Sequence, residues 1–163
     1  MHDDLWKTLA SINEWVRFSE GKAIALLAAQ GLFVSIIAQN GLGQESGTET
    51  VSLCLGYLAL ILNVISMFFA FLCLNPRLKL GGGVSPLYFG SIASSFNNSK
   101  EYQSYFKEKM GDSESVLREL SGQIFVNSQI ADRKYRNVAY SLRIFIASIL
   151  TWVLLIITEG WPQ

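Results

Sequence analysis

The sequence predicts an all-α integral membrane protein. It has three transmembrane helices and a cytoplasmic helical hairpin, and the last cytoplasmic helix is continuous with the third crossing. Three observations carry this expectation. Apolar runs at 23–38, 51–74 and 144–157 hold nearly all the excess hydrophobicity of a chain with 16% charged residues, where a soluble domain has about 25%. All thirteen Lys and Arg fall either before or at the start of the first run, or between the second and the third. In the segment leading to the third run, Val116, Leu120, Ile124, Asn127, Ala131, Tyr135, Val138 and Leu142 recur at spacings of 4, 4, 3, 4, 4, 3 and 4, with no Pro or Gly after Gly122. Such a seam packs against other helices.

Residues 1–21 read as an amphipathic cytoplasmic helix. Asp3 or Asp4 caps it, and Leu5, Leu9, Ile12 and Val16 form a stripe at helical spacing flanked by Trp6 and Trp15. The stripe suits packing on the rest of the cytoplasmic part, and the two Trp suit a place in the membrane interface; both readings stand. Residues 22–40 form the first crossing, with Lys22 snorkelling at its start. Residues 41–50 form an external loop without Lys or Arg. Residues 51–75 form the second crossing, about 36 Å of helix against a hydrocarbon core of about 30 Å. Asn75-Pro76 ends it, since proline disfavours helical geometry before it and cannot donate to the preceding turn. Residues 76–142 form a cytoplasmic helical sensor region, 143–159 the third crossing with Arg143 at its start, and 160–163 an external tail.

The placement of the cations sets the orientation: the N terminus and the central segment lie in the cytoplasm and the C terminus outside. Asp3, Asp4, Glu14 and Glu20 precede the first apolar run, so no cleavable leader is expected and the first crossing is retained. Cys54 and Cys73 stand nineteen residues apart in one run, about 28 Å along a helix and beyond disulfide reach. They read as buried thiols.

Within the sensor region, Gly81, Gly82 and Gly83 read as a flexible link, because no strand precedes them and no Gly-Lys-Ser/Thr follows. Residues 99–110 form a short amphipathic helix with Tyr102 and Phe106 one turn apart. Gly111 suits its C-cap and Asp112 the N-cap of the long helix that follows. That helix runs unbroken into the third crossing, roughly forty-five residues and nearly 70 Å.

Several segments in their order along the chain carry a family resemblance: "SEGKAIALLAAQGLFVSII", "NPR", "LYFGSIA", "EYQSYF" and "QIFVNSQIADRKYRNVAYSLRIF". Together they resemble the Pycsar effector membrane proteins, partners of pyrimidine cyclases in bacterial anti-phage defence. The resemblance spans nearly the whole chain and is best over the long helix. It implies an inner-membrane effector that senses cyclic UMP or cyclic CMP, made by a uridylate or cytidylate cyclase, and then impairs the membrane, causing growth arrest or abortive infection. No cofactor is implied beyond the activating nucleotide.

A cyclic mononucleotide needs a cation or backbone donors for its phosphate and a stacking or hydrogen-bonding surface for its base. Arg133, Lys134 and Arg136 supply cations within one turn; Gln123 and Asn127 lie on preceding turns, and Arg77 and Tyr88 come from the facing segment. The same cations would equally set topology and meet anionic headgroups. Arg133, Lys134, Arg136 and Arg143, four cations on different faces of a helix, cannot all enter one pocket.

In the bilayer the chain offers Gln30 and Asn63, either interhelical partners or the lining of a wet path in an assembly. The absence of an ionisable group at mid-depth argues against a proton-coupled pump or voltage sensor. Ala25/Ala29 and Gly31/Ser35 put small residues four apart on the first crossing, which suits a homo-oligomer. With one His, His2, there is no catalytic triad and no metal set, so a non-enzyme is expected, with no nucleic-acid partner. The rival reading is an oligomeric scaffold that docks a protein partner through its cytoplasmic helices, the basic cluster meeting lipid alone.

Overall fold

The computed structural model describes residues 2–40, 50–75 and 85–159. Five helices hold most of them: α1 (His2–Asn40), α2 (Thr50–Leu74), α3 (Phe89–Ser95), α4 (Ser99–Met110) and α5 (Ser113–Glu159). No strand occurs among the described residues, so the chain is all-α. α1, α2 and α5 are each long and apolar enough to cross a membrane. The external loop, the glycine link and the C-terminal tail lie outside the described residues, except Thr50, which already begins α2.

The chain divides into two compact units, one of residues 1–17 and 76–132, the other of 18–75 and 133–163. The second is a three-helix bundle. Buried positions on α2 are Ser52, Gly56, Ala59, Asn63, Ser66, Ala70 and Cys73, spaced alternately by four and three. On α5 they are Lys134, Val138, Ser141, Phe145, Ser148, Trp152 and Leu155, with the same alternation. On α1, Ser19, Ala23, Gln30 and Ile37 are buried, and Leu26 and Phe33 are half-buried between them. A repeat averaging 3.5 residues keeps one face of each helix turned to its neighbours.

On α2 the seam is built of small and polar residues, while large apolar side chains point outward: Leu58, Ile61, Phe68 and Phe71 on α2, and Ile146, Leu150 and Leu154 on α5. In lipid this inversion is the stable arrangement. Lipid tails solvate leucine as well as a neighbouring helix does, so close approach of small residues and interhelical hydrogen bonds hold the helices together. Two apolar clusters mark the ends of the seam. Ala23, Cys73 and Val138 form one, and Ile37, Ala59, Trp152 and Leu155 the other. Phe33 packs edge-on against Phe145 and Trp152 at 5.7 and 6.3 Å.

Two expectations are corrected here. The seam of α5 passes through Ser141 at 0% exposure, whereas Leu142 stands at 45%, because membrane packing buries the small hydroxyl and leaves leucine to lipid. Cys54 is exposed and only Cys73 is buried, since the seam at Ser52 and Gly56 leaves position 54 on the outer face.

In the other unit, the first turns of α1 lie beside those of α5. His2 Nε2 meets Ser113 Oγ at 2.7 Å, and Asn127 Nδ2 donates to Asn13 Oδ1 at 3.0 Å. Leu9 of the apolar stripe and Leu120 are buried, while Trp6 and Trp15 are exposed. α1 continues through Gly21 into its apolar run as one helix.

α4 has the bounds expected of it. Asn98 caps it, accepting from Glu101 N at 2.9 Å, while the Glu101 carboxylate accepts from Asn97 N at 3.2 Å, a reciprocal arrangement that satisfies two orphan donors. Gly111 follows as C-cap but keeps right-handed geometry, φ −76° and ψ −21°. Its lack of a side chain matters for another reason, since a Cβ there would lie 2.7 Å from the Lys107 carbonyl oxygen. Asp112 caps α5, Oδ2 accepting from Ser115 N at 2.9 Å, and these bonds hold its carboxyl below the usual carboxylate range.

Candidate functional site

The cations of the RKYR segment part company in the structure. Lys134 is buried, and its Nζ donates to Glu20 Oε1 at 2.7 Å and to the Cys73 carbonyl at 2.5 Å. One ammonium thus ties α1, α2 and α5 together. The Cys73 carbonyl belongs to the last turn of α2, where backbone acceptors lack intrahelical donors and the helix dipole favours a cation. Cys73 Sγ lies 3.7 Å from the Ser19 carbonyl in the same layer. Arg133 and Arg136 are exposed, as is Arg143. Lys22 stands over the rings of Phe18 and Tyr135, 4.4 and 5.6 Å from their centroids, so its charge is held on aromatic faces of two helices.

The other residues chosen for the nucleotide fall in the unit of residues 1–17 and 76–132, and of these Arg77 lies outside the described residues. Gln123 and the turn before α3 are brought together: Gln123 Nε2 donates to Ser85 Oγ at 2.9 Å. Ser85 is itself fixed, its N donating to Ser91 Oγ and its Oγ accepting from Leu87 N, both at 3.3 Å. Tyr88 is the extended residue before α3, and its ring lies where a Cβ on Gly90 would stand. Tyr102 secures this turn through its hydroxyl, 3.0 Å from the Pro86 carbonyl. Its ring belongs to an aromatic cluster with Phe96, Tyr105 and Phe106, centroids 5.1 to 5.8 Å apart. Asn127 turns instead to Asn13.

Ser85, Ser91 and Glu20 were not singled out as site residues from the sequence. Ser85 and Ser91 carry no pattern that separates them from other loop serines. Glu20 could have been found as the one acid beside the first apolar run, once a buried cation is placed on a facing helix.

Gln30 and Asn63 are both fully buried in the bundle. Gln30 Nε2 donates to Ser66 Oγ at 2.5 Å and to Ser141 Oγ at 3.2 Å, Ser66 Oγ donates to the Ser141 carbonyl at 2.6 Å, and Asn63 Nδ2 reaches the Gln30 carbonyl at 3.4 Å. A further serine, Ser148, donates to the Ala59 carbonyl at 2.7 Å. On α5 the polar rungs Lys134, Ser141 and Ser148 therefore recur every seventh residue. Among the described residues no three or more His, Cys, Asp and Glu gather as a metal set would require.

A three-helix bundle with a polar seam, its helices long and apolar enough to cross a membrane, defines an all-α membrane protein. Residues 4–159 match the family described as Pycsar effector protein domain. The chain is 31% identical over 139 residues to the Pycsar effector protein PtPycTM of Propioniciclava tarda, covering 81% of this chain and 67% of that protein. No solved structure matches. The chain belongs to the Pycsar effector family, and is a membrane effector of anti-phage defence.

Proposed function

We propose that this protein is a nucleotide-gated membrane effector. A cyclic pyrimidine nucleotide, cyclic UMP or cyclic CMP supplied by a partner cyclase, binds the sensor region of residues 76–142, and the response impairs the bacterial inner membrane. The N terminus and residues 76–142 face the cytoplasm and the C terminus faces outside, as the cation distribution favours. The observation that carries the reading is α5. It is one helix of 47 residues whose first part belongs to one compact unit and whose remainder belongs to the bundle. A continuous helix can carry a twist or shift along its length, because its backbone hydrogen bonds resist local bending.

Gln123 and Tyr88 are offered for the base, since an amide and an aromatic ring supply hydrogen bonding and stacking. Arg133 and Arg136 are offered for the phosphate as exposed guanidinium groups. Arg77, Asn127 and Lys134 complete the candidate set. Lys134 already holds a carboxylate, so a phosphate there would compete with Glu20. Several copies are needed for any pore, because three helices enclose no useful channel.

Equilibrium binding of labelled nucleotides to the full chain in nanodiscs tests the reading. One pyrimidine nucleotide is expected to bind in preference to cyclic AMP, and Arg133→Glu with Arg136→Glu to weaken it while membrane insertion persists. Binding of no cyclic nucleotide by folded protein would favour the scaffold reading. Loss of insertion in the charge-reversed variant would mark these arginines as lipid anchors.

A further inference from the structure

The rung at Gln30 and Asn63 is incompletely bonded. Both side chains have 0% exposure. Their amide nitrogens are engaged, yet Gln30 Oε1 and Asn63 Oδ1, both buried, each lack a donor from the protein. Asn63 reaches the residue-30 backbone from α2 and Gln30 reaches the two serines, so both oxygens belong to one layer of the seam. Turning the Gln30 carboxamide over would only exchange an orphaned acceptor for an orphaned donor. Buried acceptors without donors are strongly disfavoured in a lipid-surrounded bundle, where bulk water cannot serve them. Leucine or alanine at these positions would have made a dry seam at no such cost.

We infer that this rung is an internal water-binding site, with bound water donating to the carboxamide oxygens of Gln30 and Asn63. Water has the matching chemistry: it is small, neutral and carries two donors, and buried waters characteristically bind otherwise unsatisfied polar groups. A monovalent cation fits less well, because none of the side chains bonded in this rung is a carboxylate to balance its charge. The water site lies within the three-helix bundle. It bears on the proposed function by giving a lipid-embedded effector one layer that is already wet.

Proton-detected solid-state NMR on the full chain in nanodiscs tests it by measuring magnetisation transfer from water to assigned side-chain amides. The Gln30 and Asn63 amide protons are expected to receive water magnetisation as quickly as groups at headgroup depth, and Asn63→Leu to reduce transfer to Gln30. Build-up as slow as at the backbone amides of Ala59 or Ala70, which lie in the same seam, would overturn the site. Resonances that shift when sodium is replaced by choline would overturn water in favour of a cation. The readout needs no nucleotide, so its failure leaves the proposed function standing, and failure of nucleotide binding leaves the water site standing.

Discussion

At Lys134 the competition is between desolvating an ammonium and the bonds it gains inside the bundle. Its side chain is 10% exposed and that of Glu20 39%. Breaking a fully buried pair costs about 3–5 kcal/mol, and the partial exposure of Glu20 lowers this to about 1–2 kcal/mol for Lys134→Ala. Replacing both partners by well-packed apolar residues is often neutral or stabilising. Thermal unfolding in detergent should therefore rank Lys134→Ala as least stable and Lys134→Met/Glu20→Leu near the parent. A double variant as unstable as the single one would show that the pair is not a closed unit. The sequence put four cations near this boundary without showing which one turns inward. Burial of Lys134 follows from a seam that repeats every 3.5 residues, and the seam was obscured because Ser141 and Ser148 share it.

Among the elements, α4 and the start of α5 were legible because polar and charged residues interrupt their apolar ones at helical spacing. Asn98 and Asp112 punctuate them by side-chain caps, and Gly111 by having no side chain. α3 was missed. Phe89–Ser95 is short, uncharged and follows a Gly- and Pro-rich stretch, so it shows neither the length nor the polarity pattern of a helix. The three spans were legible from apolar run length, but their inner faces were not, since lipid inverts the burial signal.

Two predictions belong to α5. Bonds from Ser115 favour the ionised Asp112 cap and lower its folded-state pKa. Its contribution is therefore present above the unfolded value of about 3.9 and lost as pH falls through the lower folded value. Protection of the amides in the first turn of α5, taken relative to their intrinsic exchange rates, should fall on acidification through that window, and Asp112→Asn should flatten the dependence while keeping a cap. Farther along, Ser128 is exposed and donates to the Ile124 carbonyl. Ser128→Pro breaks the ladder at a cost of about 3 kcal/mol. Because it kinks α5 between Gln123 and Arg133, it should weaken nucleotide binding and abolish membrane leakage, whereas Ser128→Ala should do neither. Leakage that survives the proline would remove α5 as the coupling element.

For the whole molecule, the family match over residues 4–159 and the three membrane-spanning candidates define a membrane effector of anti-phage defence. The class was readable because three apolar runs, a one-sided cation distribution and a set of ordered motifs agree. The ligand set was less readable, since one phosphate-binding chemistry serves a nucleotide and a lipid headgroup alike. Topology is directly testable. Single cysteines placed at Ser104 and Gln163 in a Cys-free chain should label from opposite sides of an inner-membrane vesicle, Ser104 from the cytoplasmic face. Labelling of both from one side would reverse the proposed orientation of a terminus.

The central claim is gating of membrane damage by a cyclic pyrimidine nucleotide. Its most direct measurement is release of a self-quenched dye from liposomes holding the purified, oriented protein, with cyclic UMP, cyclic CMP and cyclic AMP added separately. The account predicts release with one pyrimidine nucleotide and none with cyclic AMP. Silence with all three, or equal release with all three, from folded protein would contradict it.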